Sequence, residues 1–405
     1  MLHAVVSRAF AAFRYRDFRI LWLGAFTSTV GNWMQKVAQA WLVFDLTGSS
    51  FYLGLDDFLG QLPILLLTLV GGVVADRHDR RRVLIGWQLV QMSTAFTLAA
   101  LVYFDAVHVA WILTLSFVAG LGQAFRGPAY QALIPSLVEK KDLPNAIALT
   151  SIQFNLARVI GPLLAGATLA AWGSAVCFGL NGASFLVVIF ALLGMAHAHV
   201  KPADQKPLLD EMRGGLRYAK GEPAIVALTV LGGLTTFLGL PLLTFLPVFA
   251  RDVFGGDINR FSHMMAFSGA GAVCGALVTA WLGRFRHMGW ALLTILGVFG
   301  SLVTAFALSR VGWLSNLLLF LTGATLLMTF SMTASLVELI VPDNLRGRVM
   351  SIYMGAFRGG MPLGSLAAGY VASFTSAPTV LAVNGVLIVG VALYFLVRSH
   401  GVREL

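Results

Sequence analysis

The sequence predicts an all-α polytopic membrane protein with twelve transmembrane helices in two pseudo-symmetric six-helix bundles. Three observations lead to this fold class: the composition, the charge of alternate loops and an internal repeat. Of the 405 residues, 58% are hydrophobic and only 11% are charged, and the mean hydropathy is +0.82. Because soluble domains carry roughly 25% charged residues, most of the surface of this chain must face lipid.

Long apolar stretches recur twelve times along the chain. A helix that crosses a membrane needs ~20 mostly apolar residues. The first stretch is longer than the ~7–15-residue core of a signal peptide, so we expect it to remain in the mature protein. The predicted spans cover residues 18–46, 51–75, 82–104, 107–134, 145–171, 174–197, 223–250, 261–283, 288–309, 311–340, 347–373 and 376–397.

Basic residues fall almost entirely on one side of these spans. Of the 28 Lys and Arg residues, 21 lie in the N-terminal segment and in loops of that side, three lie on the other side and four lie within spans. The positive-inside rule therefore predicts a multi-pass membrane protein with both termini in the cytoplasm. Because topology accounts for the formal net charge of +10, we expect no nucleic-acid partner.

The fifth and eleventh spans match each other at an offset of 200 residues. Arg158 and Pro162 correspond to Arg358 and Pro362, with matching Ser, Ile and Leu residues around them. Chance similarity between apolar segments would not place an arginine and a proline together inside a membrane. The repeat indicates that the chain arose by duplication of a six-helix unit.

This duplication predicts three segments. Residues 1–200 form an N-terminal six-helix bundle, residues 201–222 form a cytoplasmic linker, and residues 223–405 form a C-terminal six-helix bundle. The linker is expected to contain a short amphipathic helix at the membrane surface, with four apolar residues on one face: Leu208, Leu209, Met212 and Leu216.

The loop between the second and third spans has a recognisable pattern. Gly72 is followed after three residues by Asp76 and Arg77, and then by Arg80 and Arg81. Glycine permits close helix approach, aspartate can cap a helix N-terminus, and arginine can hold carboxylates or carbonyls. The pattern resembles the signature of the major facilitator superfamily, which implies a cytoplasmic latch that closes in the outward-facing state. An ordinary basic loop on the inner side is the alternative.

One position and one half of the chain depart from that signature. Asp79 stands where the family usually has glycine, which brings the tightness of the turn into question. The corresponding C-terminal loop lacks the acidic residue. After the tenth span, however, Glu338, Arg346 and Arg348 form another acid-and-arginine cluster, which we expect to latch the same side.

The fifth span contains Gly161-Pro162 three residues after Arg158. This pattern is similar to the Gly-Pro signature of exporting antiporters in the same superfamily, and a packing kink without directional meaning is the alternative. Together with the segments 45–50 and 125–138, it resembles the enterobactin-exporter-like branch, which includes macrolide efflux proteins. The resemblance implies the major facilitator fold, alternating access, a place in the bacterial inner membrane, and efflux driven by proton antiport.

The first span carries a polar stripe at helical spacing. Its members beyond Ser28 are Asn32, Gln35, Lys36 and Gln39. Such a stripe cannot face lipid, so we expect it to line a central cavity. A charged group in the bilayer costs ~2.5–3.5 kcal/mol, which makes Lys36 a candidate functional residue.

Lys36 has a candidate acidic partner in the second span. At 1.5 Å per residue it lies ~15 Å below the outer end of its span, and Asp57 lies ~9 Å below the end of the next. Asp57 shares a helix face with Gln61, so we predict Asp57 as the inward partner and keep Asp56 in reserve. In the alternative, both aspartates are hydrated at the outer interface. In the predicted pair, a substrate anion that binds Lys36 leaves Asp57 able to take up a proton.

Three further arginines lie within spans, and with Asn155 they complete the candidate substrate and proton pathway. Asn155 and Arg158 share a stripe on the fifth span, and Arg358 occupies the mirrored position on the eleventh. Arg126 lies in the fourth span. A substrate role and a structural role, in which the arginines bond carbonyls between helices, stay open for the mirrored pair.

The sequence therefore predicts a secondary transporter that exports a small amphipathic or anionic molecule, siderophore-like or drug-like. A lipid or lysolipid transporter of the same fold and a transport-inactive membrane sensor or scaffold are the alternatives. Metal-ligand spacings and phosphate-binding loops are absent from the sequence, so we expect no enzyme, metal or cofactor. The expected partners are the substrate, protons and the bilayer, with the monomer as the functional unit.

Overall fold

The computed structural model describes residues 10–195, 218–219, 221–342, 345–398 and 401–405, and these residues are mostly helical. The predicted amphipathic helix around Leu208 to Leu216 lies outside the described residues. The long helices of the described part are α1 (Arg16–Thr47), α2 (Ser50–Arg77), α3 (Arg80–Tyr103), α4 (Val109–Leu133), α5 (Leu143–Leu193), α6 (Pro223–Gly239), α7 (Ile258–Leu282), α8 (Met288–Leu308), α9 (Gly312–Ile340), α10 (Arg346–Phe374) and α11 (Ala377–Arg398).

Nine helical stretches in the described part of the chain are long and apolar enough to cross a membrane. α1 and α10 are not among these nine, although they contain 32 and 29 residues. α5 contains 51 residues, about 77 Å at 1.5 Å per residue, which is more than twice the thickness of a bilayer core. Gly173 interrupts it with a φ of 79° and a ψ of −179°, a conformation that favours glycine.

Aspartate side chains cap the N-termini of two of the helices. Asp79 accepts hydrogen bonds from the backbone N–H groups of Arg81 and Arg82 at the start of α3. Asp257 accepts from Asn259 and Arg260 in the same way at the start of α7. These bonds satisfy donors that have no partner within the helix. The bond from the Arg260 backbone, followed by those from Asn259, lowers the pKa of Asp257 below its ordinary value.

Contacts divide the chain into two compact units. The first contains Met1–Leu46 and Leu59–Asp204, and the second contains Thr47–Phe58 and Gln205–Leu405. The first turns of α2 therefore belong to the second unit, whereas the rest of α2 belongs to the first. In the first unit, α3 packs against both α4 and α5.

In the second unit, α6 packs against α10, α7 against α9, and α8 against α11. The helix that begins with α6 is interrupted after Gly239. It continues as two short turns, Pro241–Thr244 and Leu246–Val248, and as a π-helical turn, Phe249–Val253. The two prolines, which lack a backbone N–H, account for the breaks in the hydrogen-bond ladder.

The fifth and eleventh predicted spans use glycine in the same way in their own units. A Cβ atom at Gly161 in α5 would collide with the Cβ atom of Trp33 in α1. In α10, a Cβ atom at Gly364 would collide with the backbone of Phe237 in α6. In each unit a small residue therefore lets two helix backbones come close together.

Candidate functional site

The first unit contains two cations beside one indole ring. The Nζ atom of Lys36 lies 5.7 Å from the ring centroid of Trp33, and the Cζ atom of Arg158 lies 5.8 Å from the same centroid. Phe154 makes an edge contact with this indole, with ring centroids 6.1 Å apart. Two cations predicted from sequence, one on α1 and one on α5, are thus brought together by an aromatic residue that the sequence argument did not use.

Local helix geometry produces this cluster. Trp33 and Lys36 are three residues apart on α1, and Phe154 and Arg158 are four residues apart on α5, so each pair shares a helix face. Gly161 follows on α5 and allows that helix to approach α1 at Trp33. Phe154 is 52% exposed, so the cluster is accessible from one side.

The cluster combines a π-face with positive charge. Lysine and arginine within about 6 Å of an indole are attracted to the ring by roughly 0.5–1 kcal/mol each at exposed sites. A bound anion would compete with the indole for both cations, and a flat ring could stack beside Phe154. The cluster is therefore suited chemically to an aromatic anion.

The polar stripe of α1 continues as a chain of side-chain hydrogen bonds. Asn181 donates to Gln35 over 2.6 Å, Gln35 donates to Gln39 over 3.3 Å, and Gln39 donates to Ser116 over 2.7 Å. The chain joins α5, α1 and α4 inside the first unit. Asn32, also on the predicted stripe, is half-buried on α1.

Two other predicted residues of the first unit bond within their own helices. Both Nε and Nη2 of Arg126 donate to the side-chain oxygen of Gln123, over 3.0 Å and 2.7 Å. Asn155 donates to the carbonyl oxygen of Ser151 over 2.9 Å. Pro162 is buried within α5, next to the glycine that contacts α1.

The structure gives Asp57 a partner in the second unit. The Ser365 hydroxyl on α10 donates to the Asp57 carboxylate over 2.8 Å, and Thr244 lies 3.1 Å from the same hydroxyl. Asp56 is half-buried beside Asp57, and Arg358 is exposed on α10. The mirrored arginines of the sequence repeat therefore differ, because Arg158 contacts an indole and Arg358 is exposed.

In the loop between α2 and α3, two arginines bind the ends of other helices. Arg80 donates to the Ala132 carbonyl near the end of α4 over 2.7 Å and lies 3.7 Å from the Asp76 carboxylate. Arg81 donates to the carbonyls of Leu193 and Met195 at the end of α5, over 2.7 Å and 3.2 Å. The last carbonyls of a helix lack partners within it, so positive side chains are stabilising there.

The same loop differs in detail from the sequence prediction. Asp79 has a φ of −60° and a ψ of 110°, so this turn needs no glycine at that position. A Cβ atom at Gly72 would meet nothing within 4 Å among the described residues, whereas one at Gly71 would collide with the Ala124 carbonyl on α4. The close approach expected at Gly72 is therefore made by Gly71 instead. Arg77 is exposed at the end of α2.

The predicted cluster after the tenth span lies at the junction of α9 and α10. Glu338 is exposed near the end of α9, Arg346 is exposed as the first residue of α10, and Arg348 is half-buried two residues further on. Groups of three or more His, Cys, Asp or Glu residues that could hold a metal ion are not found in the described ranges.

Sequence reasoning missed several residues of these sites. Trp33 and Phe154 were detectable in principle, because an aromatic residue three or four positions from a cation shares its helix face. Asn181, Ser116 and Ser365 had no comparable signal, since each becomes a partner only through the packing of separate helices.

Comparison with known proteins identifies the family. A family model described as "Transmembrane secretion effector" matches residues 7–403, nearly the whole chain. The chain belongs to this family. The family is part of the major facilitator superfamily, so the chain is a multi-pass membrane transporter and not an enzyme, as the sequence resemblance predicted.

Curated relatives are similar over most of their length. The chain is 25% identical to the staphyloferrin A transporter of Staphylococcus aureus over 92% of this chain and 93% of the relative. It is 27% identical to the enterobactin exporter EntS of Escherichia coli, with 93% and 90% covered. It is 22% identical to the macrolide efflux protein A of Streptococcus pyogenes, with 93% and 94% covered.

A solved structure supports the fold alone. The crystal structure of a bacterial homolog of the human lysosomal transporter Spinster, in an inward-facing and occupied conformation, superposes with a TM-score of 0.77. It is 14% identical in sequence, and the alignment covers 96% of this chain and 97% of that one. The all-helical fold predicted from sequence is thereby confirmed.

Proposed function

We propose that this transporter exports a small anionic molecule with an aromatic ring, driven by proton antiport through alternating access. The observation that carries the proposal is the Trp33 indole, which has Lys36 and Arg158 within 6 Å of its ring centroid. Two positive charges beside accessible aromatic surface attract an aromatic anion and repel a cationic molecule. The name of the enterobactin relative favours an aromatic, catecholate substrate, and that of the staphyloferrin A relative, a carboxylate siderophore transporter, favours an anion.

The proposed architecture has twelve crossings in two six-helix bundles. To the nine candidate spans it adds α1, α10 and the division of α5 at Gly173. The bundles would comprise residues 1–200 and 223–405, with a linker at 201–222, in a monomer. From the charge of the loops we propose that both termini lie in the cytoplasm. The bacterial relatives support the bacterial inner membrane as the host membrane.

We propose that Asp57 binds the coupled proton and that Lys36 is its positively charged partner. Asp56 is the alternative acid. An anion bound at Lys36 would compensate the lysine charge and favour proton uptake by Asp57.

For the latch, Asp76 and Arg77 act on the inner side together with the Glu338, Arg346 and Arg348 cluster. In this scheme Asp76→Asn favours inward-open states, which labelling of the inner cavity would detect.

A flux experiment tests the proposed substrate class. The full-length chain is reconstituted in proteoliposomes with an imposed pH gradient and supplied with enterobactin, which is a catecholate, or with erythromycin, a macrolide with a basic amine. We expect gradient-dependent flux of enterobactin alone. Lys36→Gln and Arg158→Gln should each weaken enterobactin binding about tenfold, which corresponds to ~1.4 kcal/mol.

The control is Arg286→Gln, which removes an exposed arginine of the loop after α7 and should leave binding unchanged. Flux of erythromycin without flux of enterobactin would contradict the anionic substrate class. Flux of a lysophospholipid in place of both would favour the lipid-transport alternative. Enterobactin flux that ignores the pH gradient would overturn proton antiport but not the substrate class.

A further inference from the structure

The second unit contains a chain of three polar side chains that ends at a break in a helix. Asp57 on α2 accepts a hydrogen bond from Ser365 on α10 over 2.8 Å, and the Ser365 and Thr244 oxygens are 3.1 Å apart. Ser365 is fully buried, and Asp57 and Thr244 are half-buried. The three groups join the start of α2, the middle of α10 and the short turn after α6.

Close glycine contacts hold the two long helices in register at this chain. A Cβ atom at Gly54 would collide with the Ser365 carbonyl, and one at Gly369 would lie 2.8 Å from the Ser50 carbonyl and 3.2 Å from the Cα atom of Gly54. Asp57 follows Gly54 by one helical turn, and Ser365 precedes Gly369 by one turn. The backbone contact therefore fixes the carboxylate opposite the hydroxyl.

The number of hydroxyl hydrogens determines which group is the donor in each of these hydrogen bonds. A serine hydroxyl has one hydrogen, and while Asp57 is ionised that hydrogen is donated to the carboxylate. The 3.1 Å contact then requires Thr244 to be the donor and Ser365 the acceptor. When the carboxylate gains a proton, its O–H can donate to Ser365, the Ser365 hydrogen can turn to Thr244, and the Thr244 hydrogen becomes available to the backbone.

We propose that Ser365 is a positioning residue for Asp57 and that it transmits the protonation state of this carboxylate to Thr244. The proposal rests on the assignment of proton coupling to Asp57 under the proposed function. Thr244 lies on a four-residue turn between two breaks, with Gly239 and Pro241 before it and Pro247 after it. Interrupted helices lie at the substrate and ion sites of many secondary transporters, so a change of hydrogen bonding there can bias a movable element.

Other charged groups lie on the same elements. Asp56 is adjacent on α2, Arg251 and Asp252 lie on the π-helical turn, and Arg358 lies two turns before Ser365 on α10. All of these charges stay in place when the Ser365 or Thr244 hydroxyl is removed, so a difference between variants reports the hydroxyl alone.

Infrared difference spectroscopy of the purified full-length protein tests this proposal without a substrate. The carboxylic acid band that disappears in Asp57→Asn is titrated with pH in each variant. A hydrogen bond to a charged group is worth about 1.5–3 kcal/mol, and 1.36 kcal/mol corresponds to one pH unit. Because Ser365→Ala removes a donor that favours the ionised form, the midpoint should move upward by about one to two pH units.

Matched variants separate positioning from general disturbance. Ser365→Thr keeps the hydroxyl and should retain the wild-type midpoint. Ser373→Ala, on the same helix, removes a hydroxyl that donates to the Tyr370 carbonyl one turn earlier and should change nothing. Thr244→Val should move the midpoint upward by less than Ser365→Ala does, whereas Thr244→Ser should not move it.

Three results would overturn parts of the proposal. A wild-type midpoint in Ser365→Ala would refute the positioning role. A wild-type midpoint in Thr244→Val would confine the effect to Ser365 and refute transmission to the interrupted helix. Full proton-driven flux in Asp57→Asn would refute the coupling assigned under the proposed function, while a Ser365-dependent infrared midpoint would still support positioning.

Discussion

Replacing Gly161 by alanine should destabilise the protein although alanine is the better helix former. The added Cβ atom would collide with the Cβ atom of Trp33 and lie 3.0 Å from the Val30 carbonyl oxygen and 3.4 Å from the Met34 nitrogen. All of these atoms belong to the backbone or the first side-chain carbon of α1, so no side-chain rotation can relieve the contact. The two helices would have to separate.

Gly179 supplies a matched control on the same helix. A Cβ atom at Gly179 would meet nothing within 4 Å among the described residues, so alanine there should show the helix-propensity gain of about 1 kcal/mol alone. Forced overpacking costs about 1–3 kcal/mol. Because the propensity gain is common to both variants, the difference between Gly161→Ala and Gly179→Ala should be about 1–3 kcal/mol.

The measurement is reversible unfolding in mixed micelles, followed by tryptophan fluorescence. Gly179→Ala should raise the free energy of unfolding. The free energy of unfolding of Gly161→Ala should be lower than that of Gly179→Ala by the overpacking cost of about 1–3 kcal/mol. If the two variants shifted the free energy of unfolding equally, Gly161 would not be required for the approach of α5 to α1, and its part in building the Trp33 cluster would be refuted.

Two further predictions concern residues outside the membrane-spanning segments. Arg81→Lys should lower the free energy of unfolding by about 1 kcal/mol in the same assay, because lysine lacks the two separate nitrogens with which Arg81 reaches the Leu193 and Met195 carbonyls. Arg82→Lys, at an 89% exposed side chain, should have no effect. Asp257→Ala should lower the free energy of unfolding by about 1 kcal/mol at neutral pH, because it removes the N-terminal cap of α7. Since the folded-state pKa of Asp257 is lowered, this difference should be complete above pH ~4 and disappear as the pH falls through the lowered value, and a pH-independent difference would contradict the cap.

The sequence predicted the helical membrane fold because its signals are local. Apolar length predicts a span without knowledge of any neighbour, and charge sorts the loops by side. Local signals also identified Lys36 and Arg158, since a cation within an apolar stretch is conspicuous. The close approach at Gly71 rather than Gly72 was not predictable, because both glycines are adjacent in one motif and only the position of α4 distinguishes them.

The hydrogen-bond partners of the predicted polar residues could not be predicted from helical periodicity alone. The stripe of α1 was predicted to line a cavity, yet Gln35 and Gln39 bond to Asn181 and Ser116 inside the first unit. Periodicity assigns residues to a shared face, but two helices that each carry polar groups can meet in many registers. The register here depends on small residues at the contacts, and a sequence with 43 glycines does not indicate which of them are used.

The two units bring helices together in a similar way but carry different side chains beside the contacts. Gly161 on α5 and Gly364 on α10 both admit a neighbouring helix of their own unit, so the two units share a way of bringing helices together. In the first unit the contact presents Trp33 to two cations, whereas Arg358 in the second unit is exposed and Ser365 on the same helix bonds Asp57 instead. Because small residues make the helix contacts, the larger residues nearby can differ between the units, as the two cations beside Trp33 and the hydroxyl chain at Asp57 do.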